Sequence, residues 1–193
     1  MTTGLSAEEK VILLKLARQS IQRAVNGMEP QTICVEDFPP ALQDFGCSFV
    51  TLTIGGQLRG CIGALEPYLP LVQDVCEHAV SAATEDYRFS PVKPAELNQL
   101  EIEISHLSTP QPLDYGSPEE LMSRLRPGID GVILKDEYRR ATFLPQVWEK
   151  IPAAEDFLNQ LCRKMGAQGS LWRKKKLQVF VYQVEEFHEA VIS

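Results

Sequence analysis

CSFVTLTIGGQLRGCIG (47–63) reads as two short strands joined at Gly55-Gly56. β-branched and aromatic residues crowd the first strand, and a glycine pair between apolar runs is a strong hairpin signal. The second strand is unusual. It carries Gly60 and Gly63, and Arg59 stands two residues from Cys61. Glycine inside a strand marks a bulge or a close backbone approach. With a two-residue turn, Ile54 opposes Gln57, Leu52 opposes Arg59 and Val50 opposes Cys61. The two-residue repeat of a strand then places Arg59 and Cys61 on one face, with Cα atoms roughly 6–7 Å apart, and Leu58, Ile62 and Phe49 on the other. Only a bulge between Arg59 and Cys61 would separate their faces. A guanidinium beside a thiol favours the thiolate, which makes Cys61 a candidate nucleophile. The competing expectation is a buried structural cysteine, with Arg59 in an ion pair with Glu66, Glu101 or Glu103.

Outside this stretch, composition sets the bounds. The chain has 193 residues, 44% of them hydrophobic, enough for a packed core in one large domain or two intertwined lobes. Its formal charge of −7 opposes a nucleic-acid role, which needs a broad basic surface. No apolar run approaches the roughly 18 residues of a membrane span. MTTGLSAEEK (1–10) lacks the basic-then-apolar pattern of a secretory leader. The expectation is a soluble cytoplasmic protein without membrane or nucleic-acid partners. Five cysteines without a C-x-x-C pair argue for reduced thiols, and three scattered histidines specify no metal site.

Helices and hairpins alternate along the chain. Ser6 and Glu9 form a capping box before an apolar stripe that stops at Asn26-Gly27. Leu71 to Ala83 repeats apolar residues at three and four, with Gln73, Asp74 and Glu77 facing away and His78 at the margin. Leu100, Ile102 and Ile104 alternate with Glu101 and Glu103 in a half-exposed strand; two carboxylates on one face are acid/base candidates, or a solvated sheet face. Ser117-Pro118-Glu119-Glu120 starts a helix. Residues 131–144 read as a second hairpin, and Phe157 to Met165 as the last long helix. Arg173 to Lys176 is a basic turn, and Leu177 to Val184 an interior strand apolar on both faces. Strands that come as hairpins favour an α+β fold with a mixed, largely antiparallel sheet and flanking helices. G-x-G-x-x-G and G-x-x-x-x-G-K-[ST] are absent, so no nucleotide loop of those kinds is expected.

LRGCIG (58–63), RFSPV (88–92), IEIS-x-L (102–107), PGIDGVIL (127–134), TFLPQVWE (142–149) and FLNQLCRKMG (157–166) occur in an order that resembles the AMMECR domain family over nearly the whole chain. Tyr87 stands where the family more often has proline. The resemblance implies one AMMECR-type domain over 1–193 with a larger and a smaller lobe and a cleft between them. It implies partnership with Memo-type and radical S-adenosylmethionine proteins, and it specifies neither a reaction nor a cofactor. Cys61 and Arg59 are the expected catalytic pair. Gly60, Gly63, Arg88, Glu103 and Gln146 are the expected substrate-binding positions. The functional expectation is an enzyme or enzyme subunit. The alternative is a non-catalytic binding module that uses the cleft or the hairpin edge, where Gly60 and Gly63 would permit close approach.

Overall fold

A computed structural model describes residues 4–189. In chain order the elements are α1 (Ala7–Val25), α2 (Pro40–Gln43), β1 (Phe45–Ile54), β2 (Gln57–Gly63), β3 (Leu69–Pro70), α3 (Leu71–Thr84), β4 (Leu100–Leu107), β5 (Gln111–Pro112), α4 (Pro118–Arg124), β6 (Gly131–Asp136), β7 (Arg139–Phe143), α5 (Val147–Lys150), α6 (Ala154–Lys164), α7 (Leu171–Lys174), β8 (Gln178–Tyr182) and β9 (Val184–His188). Short 3-10 turns cover Val35–Asp37 and Pro94–Gln99. The fold is α+β. The chain divides into two compact units: the first runs through Leu107 and resumes at Glu185, and the second is Ser108–Val184.

In the first unit α1 starts at the expected capping box. Ser6 Oγ accepts from Glu9 N at 3.2 Å and Glu9 Oε2 accepts from Ser6 N at 2.7 Å. The strands run in the order β2-β1-β4-β9, with β3 paired to the start of β1. One sheet face presents Val50 and Leu52 from β1 with Leu100, Ile102 and Ile104 from β4. It buries them under Leu13, Leu16, Ala17 and Ile21 of α1 and Val72, Val75, Ala79 and Ala82 of α3. Fully burying each large aliphatic side chain is worth about 1.5–3 kcal/mol, so this layer anchors the unit. Asp74 does not face away: it is completely buried, and so is most of His78. Charge pointed to solvent, but the helical repeat puts both on the core side of α3.

The second unit has a sheet in the order β5-β8-β6-β7. Val132, Leu134, Ala141 and Val179 pack under Leu121, Phe157, Leu158, Leu161 and Trp172. Trp148 stacks on Phe157 with ring centroids 3.7 Å apart, and its indole N–H donates to the Asp130 carbonyl at 2.7 Å. The basic run is engaged locally: Arg173 pairs with Glu155, and Lys175 with Asp136 and Glu137. The interior strand is β8, which lies between β5 and β6. It ends at Tyr182 rather than continuing through Val184, because Gln183 N turns to Ser108 Oγ at 2.9 Å and Val184 opens β9 in the other sheet.

Candidate functional site

The hairpin forms with Gly55 and Gly56 at φ 55° and 74°, the left-handed conformation that a tight hairpin turn requires of both central residues. Pairing begins as expected at Ile54↔Gln57 and Thr53↔Leu58, then slips. Leu52 faces Gly60, Thr51 faces Cys61, Val50 faces Ile62 and Phe49 faces Gly63. Arg59 is the extra residue of a β-bulge. A bulge breaks the two-residue repeat and re-aims a side chain. The expected common face for Arg59 and Cys61 is therefore lost. Cys61 joins Phe49 and Thr51, while Ile62 turns to the core and Leu58 is exposed.

Arg59 is held away from the thiol by Glu96 in the 3-10 turn. Its Nε donates to Oε1 at 2.8 Å and its Nη2 to Oε2 at 3.1 Å. None of the anticipated carboxylates is this partner. The Arg59 guanidinium, helped by the Lys93 backbone N–H, holds the Glu96 carboxyl down to about 2.

Gly60 and Gly63 serve internal packing. A Cβ on Gly60 would stand 2.1 Å from the Ala82 carbonyl oxygen of α3, and one on Gly63 would stand 2.4 Å from the Phe49 ring and the Ser48 carbonyl. The close approach that each glycine permits is to the protein's own backbone and side chains.

β2 is the terminal strand of its sheet, so the outward N–H and C=O of Cys61 have no neighbouring strand. Side chains answer both. Cys61 N donates to Asp86 Oδ2 at 2.9 Å, and Arg88 Nη2 donates to the Cys61 carbonyl at 3.1 Å. Asp86 and Arg88 are joined to each other by Nε–Oδ1 at 2.9 Å and Nη2–Oδ2 at 2.6 Å, and Asp86 Oδ1 also accepts from Arg88 N. The Arg88 guanidinium, with the Cys61 and Arg88 amides, holds the buried Asp86 carboxyl well below the usual carboxylate range against its desolvation. Arg88, expected to bind substrate, thus braces the backbone of Cys61.

The Cys61 thiol itself is half-buried, and Thr51 Oγ1 donates to its Sγ at 3.3 Å. That bond fixes the sulfur's direction and gives negative charge on it a donor. Thr51 in turn faces Glu103 on β4, on the same face of the sheet. Burial, then the nearby Glu186 charge, pushes the Glu103 carboxyl up, and His188 opposes this. Thiol, hydroxyl and carboxyl thus lie in register across β2, β1 and β4. Gln146 belongs to the second unit, where it is exposed at the start of α5 and its carbonyl accepts from Glu149 N. Among the described residues no group of three or more His, Cys, Asp or Glu side chains is placed to hold a metal, and no helix is long and apolar enough to cross a membrane.

Asp86, Thr51 and Glu96 were not singled out from the sequence. Asp86 carried a readable signal: an aspartate whose side chain accepts the amide two residues on is a common local turn device. Thr51 and Glu96 carried none, because their roles depend on the slipped register.

The family model described as AMMECR1 matches residues 14–187. A protein of Methanothermobacter thermautotrophicus is 38% identical over 190 residues, covering 96% of this chain and 96% of that protein. One of Thermofilum pendens is 37% identical over 203 residues, covering 96% and 92%. The crystal structure of the uncharacterized protein PH0010 from Pyrococcus horikoshii superimposes with a TM-score of 0.78 at 33% identity, covering 96% of this chain and 93% of that one. A model that spans most of the chain, with relatives above 30% identity over nearly their full length, leaves one assignment: the chain belongs to the AMMECR1 family.

Proposed function

We propose that the chain is a cytoplasmic enzyme or enzyme subunit whose reacting group is the Cys61 thiol, working with Memo-type and radical S-adenosylmethionine proteins. The observation that carries this reading is the preorganisation of one residue. Cys61 has its N–H, its C=O and its Sγ each held by a separate side-chain contact, yet stays half-exposed on the sheet face. A merely structural core thiol needs none of these supports; Cys162, completely buried, illustrates that case, and burial pushes its thiol up. None of the five cysteines is joined to another in a disulfide, which supports a reducing compartment. The Memo-type and radical-enzyme partnership is carried over from the family resemblance alone.

Iodoacetamide labelling followed by peptide mass spectrometry tests the thiol. Cys34 is a built-in comparator: it is exposed, but the Glu36 hydrogen bond and the Asp37 charge push its thiol up. Cys61 is expected to be alkylated faster than Cys34 at neutral pH, and Thr51→Val to slow Cys61 alone. Alkylation of Cys61 slower than that of Cys34 would sink the nucleophile. A second reading, an adaptor without chemistry, is favoured by Leu58 and Tyr87, apolar side chains 44% and 94% exposed on the hairpin and on the Asp86–Arg88 loop. It predicts that partner capture survives Cys61→Ala and is lost in Tyr87→Ala.

A further inference from the structure

On the core side of the first unit, α3 places Asp74 and His78 one turn apart, 0% and 5% exposed. Ser48 Oγ on β1 donates to Asp74 Oδ2 at 2.6 Å. On the far side of the imidazole, Nε2 is 3.1 Å from the hydroxyl of Tyr68, which is partly open to solvent. Tyrosine has one hydroxyl hydrogen, and Tyr68 gives it to Glu77 Oε1 at 2.7 Å. The Nε2–Oη contact therefore requires a hydrogen on Nε2. In the neutral imidazole Nδ1 is then the acceptor nitrogen. It lies 3.3 Å from Asp74 Oδ2 but is not aligned to bond with it. Among the described residues neither Nδ1 nor Asp74 Oδ1 has a hydrogen-bond partner.

Two side chains that approach to 3.3 Å thus each keep one buried polar atom without a hydrogen-bond partner, and these atoms specify what belongs with them. A buried polar atom without a partner is costly, and small internal sites lined by polar atoms are filled by molecules that satisfy them. The guest must donate two hydrogens at once. An anion is excluded by the Asp74 carboxylate. We propose that Asp74 Oδ1 and His78 Nδ1 form a built internal site for one small two-hydrogen donor, a water molecule or an ammonium ion. With the guest in place every group is satisfied, and a continuous hydrogen-bonded chain runs from the solvent-facing Tyr68–Glu77 pair through His78, the guest and Asp74 to Ser48 in the sheet. The next titratable group facing Asp74 is His106, the cross-strand partner of Ser48, whose imidazole is disfavoured as a cation by burial.

The test uses the uniformly 15N-labelled wild-type protein. Long-range proton–nitrogen correlation is expected to place the His78 hydrogen on Nε2 and leave Nδ1 bare, and the ring is expected to show cross-relaxation to a long-lived, solvent-derived molecule. Dialysis from 15N-ammonium into ammonium-free buffer distinguishes the sources: a retained signal identifies water, a lost one ammonium. A hydrogen on Nδ1, or no such molecule within reach of the ring, would overturn the proposal. In Asp74→Asn the side-chain amide supplies a donor where the guest sits, so the cross-relaxation is expected to vanish; if that variant does not fold, the wild-type tautomer and cross-relaxation still decide.

Discussion

The two hairpins of this chain use opposite strategies. In the second unit β6 and β7 pair without a break from Val132↔Phe143 to Asp136↔Arg139. The turn is tight enough to hold Glu137 at φ 49°, and Asp136 ties it down through Arg139 and Lys175. In the first unit the β1–β2 hairpin turns easily on two glycines and then departs from regular pairing at Arg59. The irregular hairpin is also the one whose free edge is braced by an ion pair and whose exposed face carries a thiol. Regular pairing needs no outside support. The bulge re-aims one side chain, and on the free edge beside it Asp86 and Arg88 take the N–H and C=O of Cys61 that no neighbouring strand meets.

That contrast can be broken in three places. The largest effect is expected from Gly60→Val. The added side chain meets a helix carbonyl that cannot rotate away, and overpacking of this kind costs about 3 kcal/mol, a drop of roughly 10 °C in Tm for a chain of this size. A calorimetric Tm within about 2 °C of wild type would show that the bulge tolerates displacement from α3. Arg59→Ala comes next, with a loss of about 1–2 kcal/mol near neutral pH from the two-pronged pair with Glu96. Glu96 is held down from its ordinary 4.5 to about 2, so the pair contributes fully above 4.5 and its contribution disappears as the pH falls through about 2. The stability gap between wild type and variant, from urea titrations at several pH values, is expected to close over that window; a constant gap would remove Glu96 as the partner that matters. The smallest effect belongs to the regular hairpin. Glu137→Gly relieves the left-handed residue and is expected to raise stability by no more than about 1 kcal/mol, since Lys175 keeps Asp136. A loss instead would mean that the Glu137 side chain, not the backbone, sets that turn.

Legibility followed the range of the interaction. The capping box of α1, the glycine turn and the 131–144 hairpin were readable because each depends on residues within a few positions of one another. The bulge was not: inserting one residue changes no composition and leaves the turn intact, yet it reverses the face of everything from Gly60 onward. Asp74 misled because a charged side chain on a helix usually faces water, and here the Ser48 hydroxyl on β1 meets it inside. β9 escaped notice for the same reason. Glu185 points inward, where Lys10 and the Leu5 amide receive it, so the strand's alternation is not one of apolar and polar. Of the candidate site, Cys61 and Arg88 were readable as residues, but the parts they play came from register and from Asp86, neither of which a pattern of residue types encodes.

The return of the chain through β9 has a consequence for synthesis. β4 is flanked by β1, made before it, and by β9, the last strand to be made among the described residues. The sheet that carries Cys61 cannot be completed until all of Ser108–Val184 has emerged from the ribosome, whereas that segment is continuous and has its own core. The later half of the chain can therefore mature first, with the open flank of β4 waiting for a strand. Truncations that end before Val184 are expected to leave that flank unpaired, a vulnerability to aggregation that resides in the order of translation rather than in the finished fold.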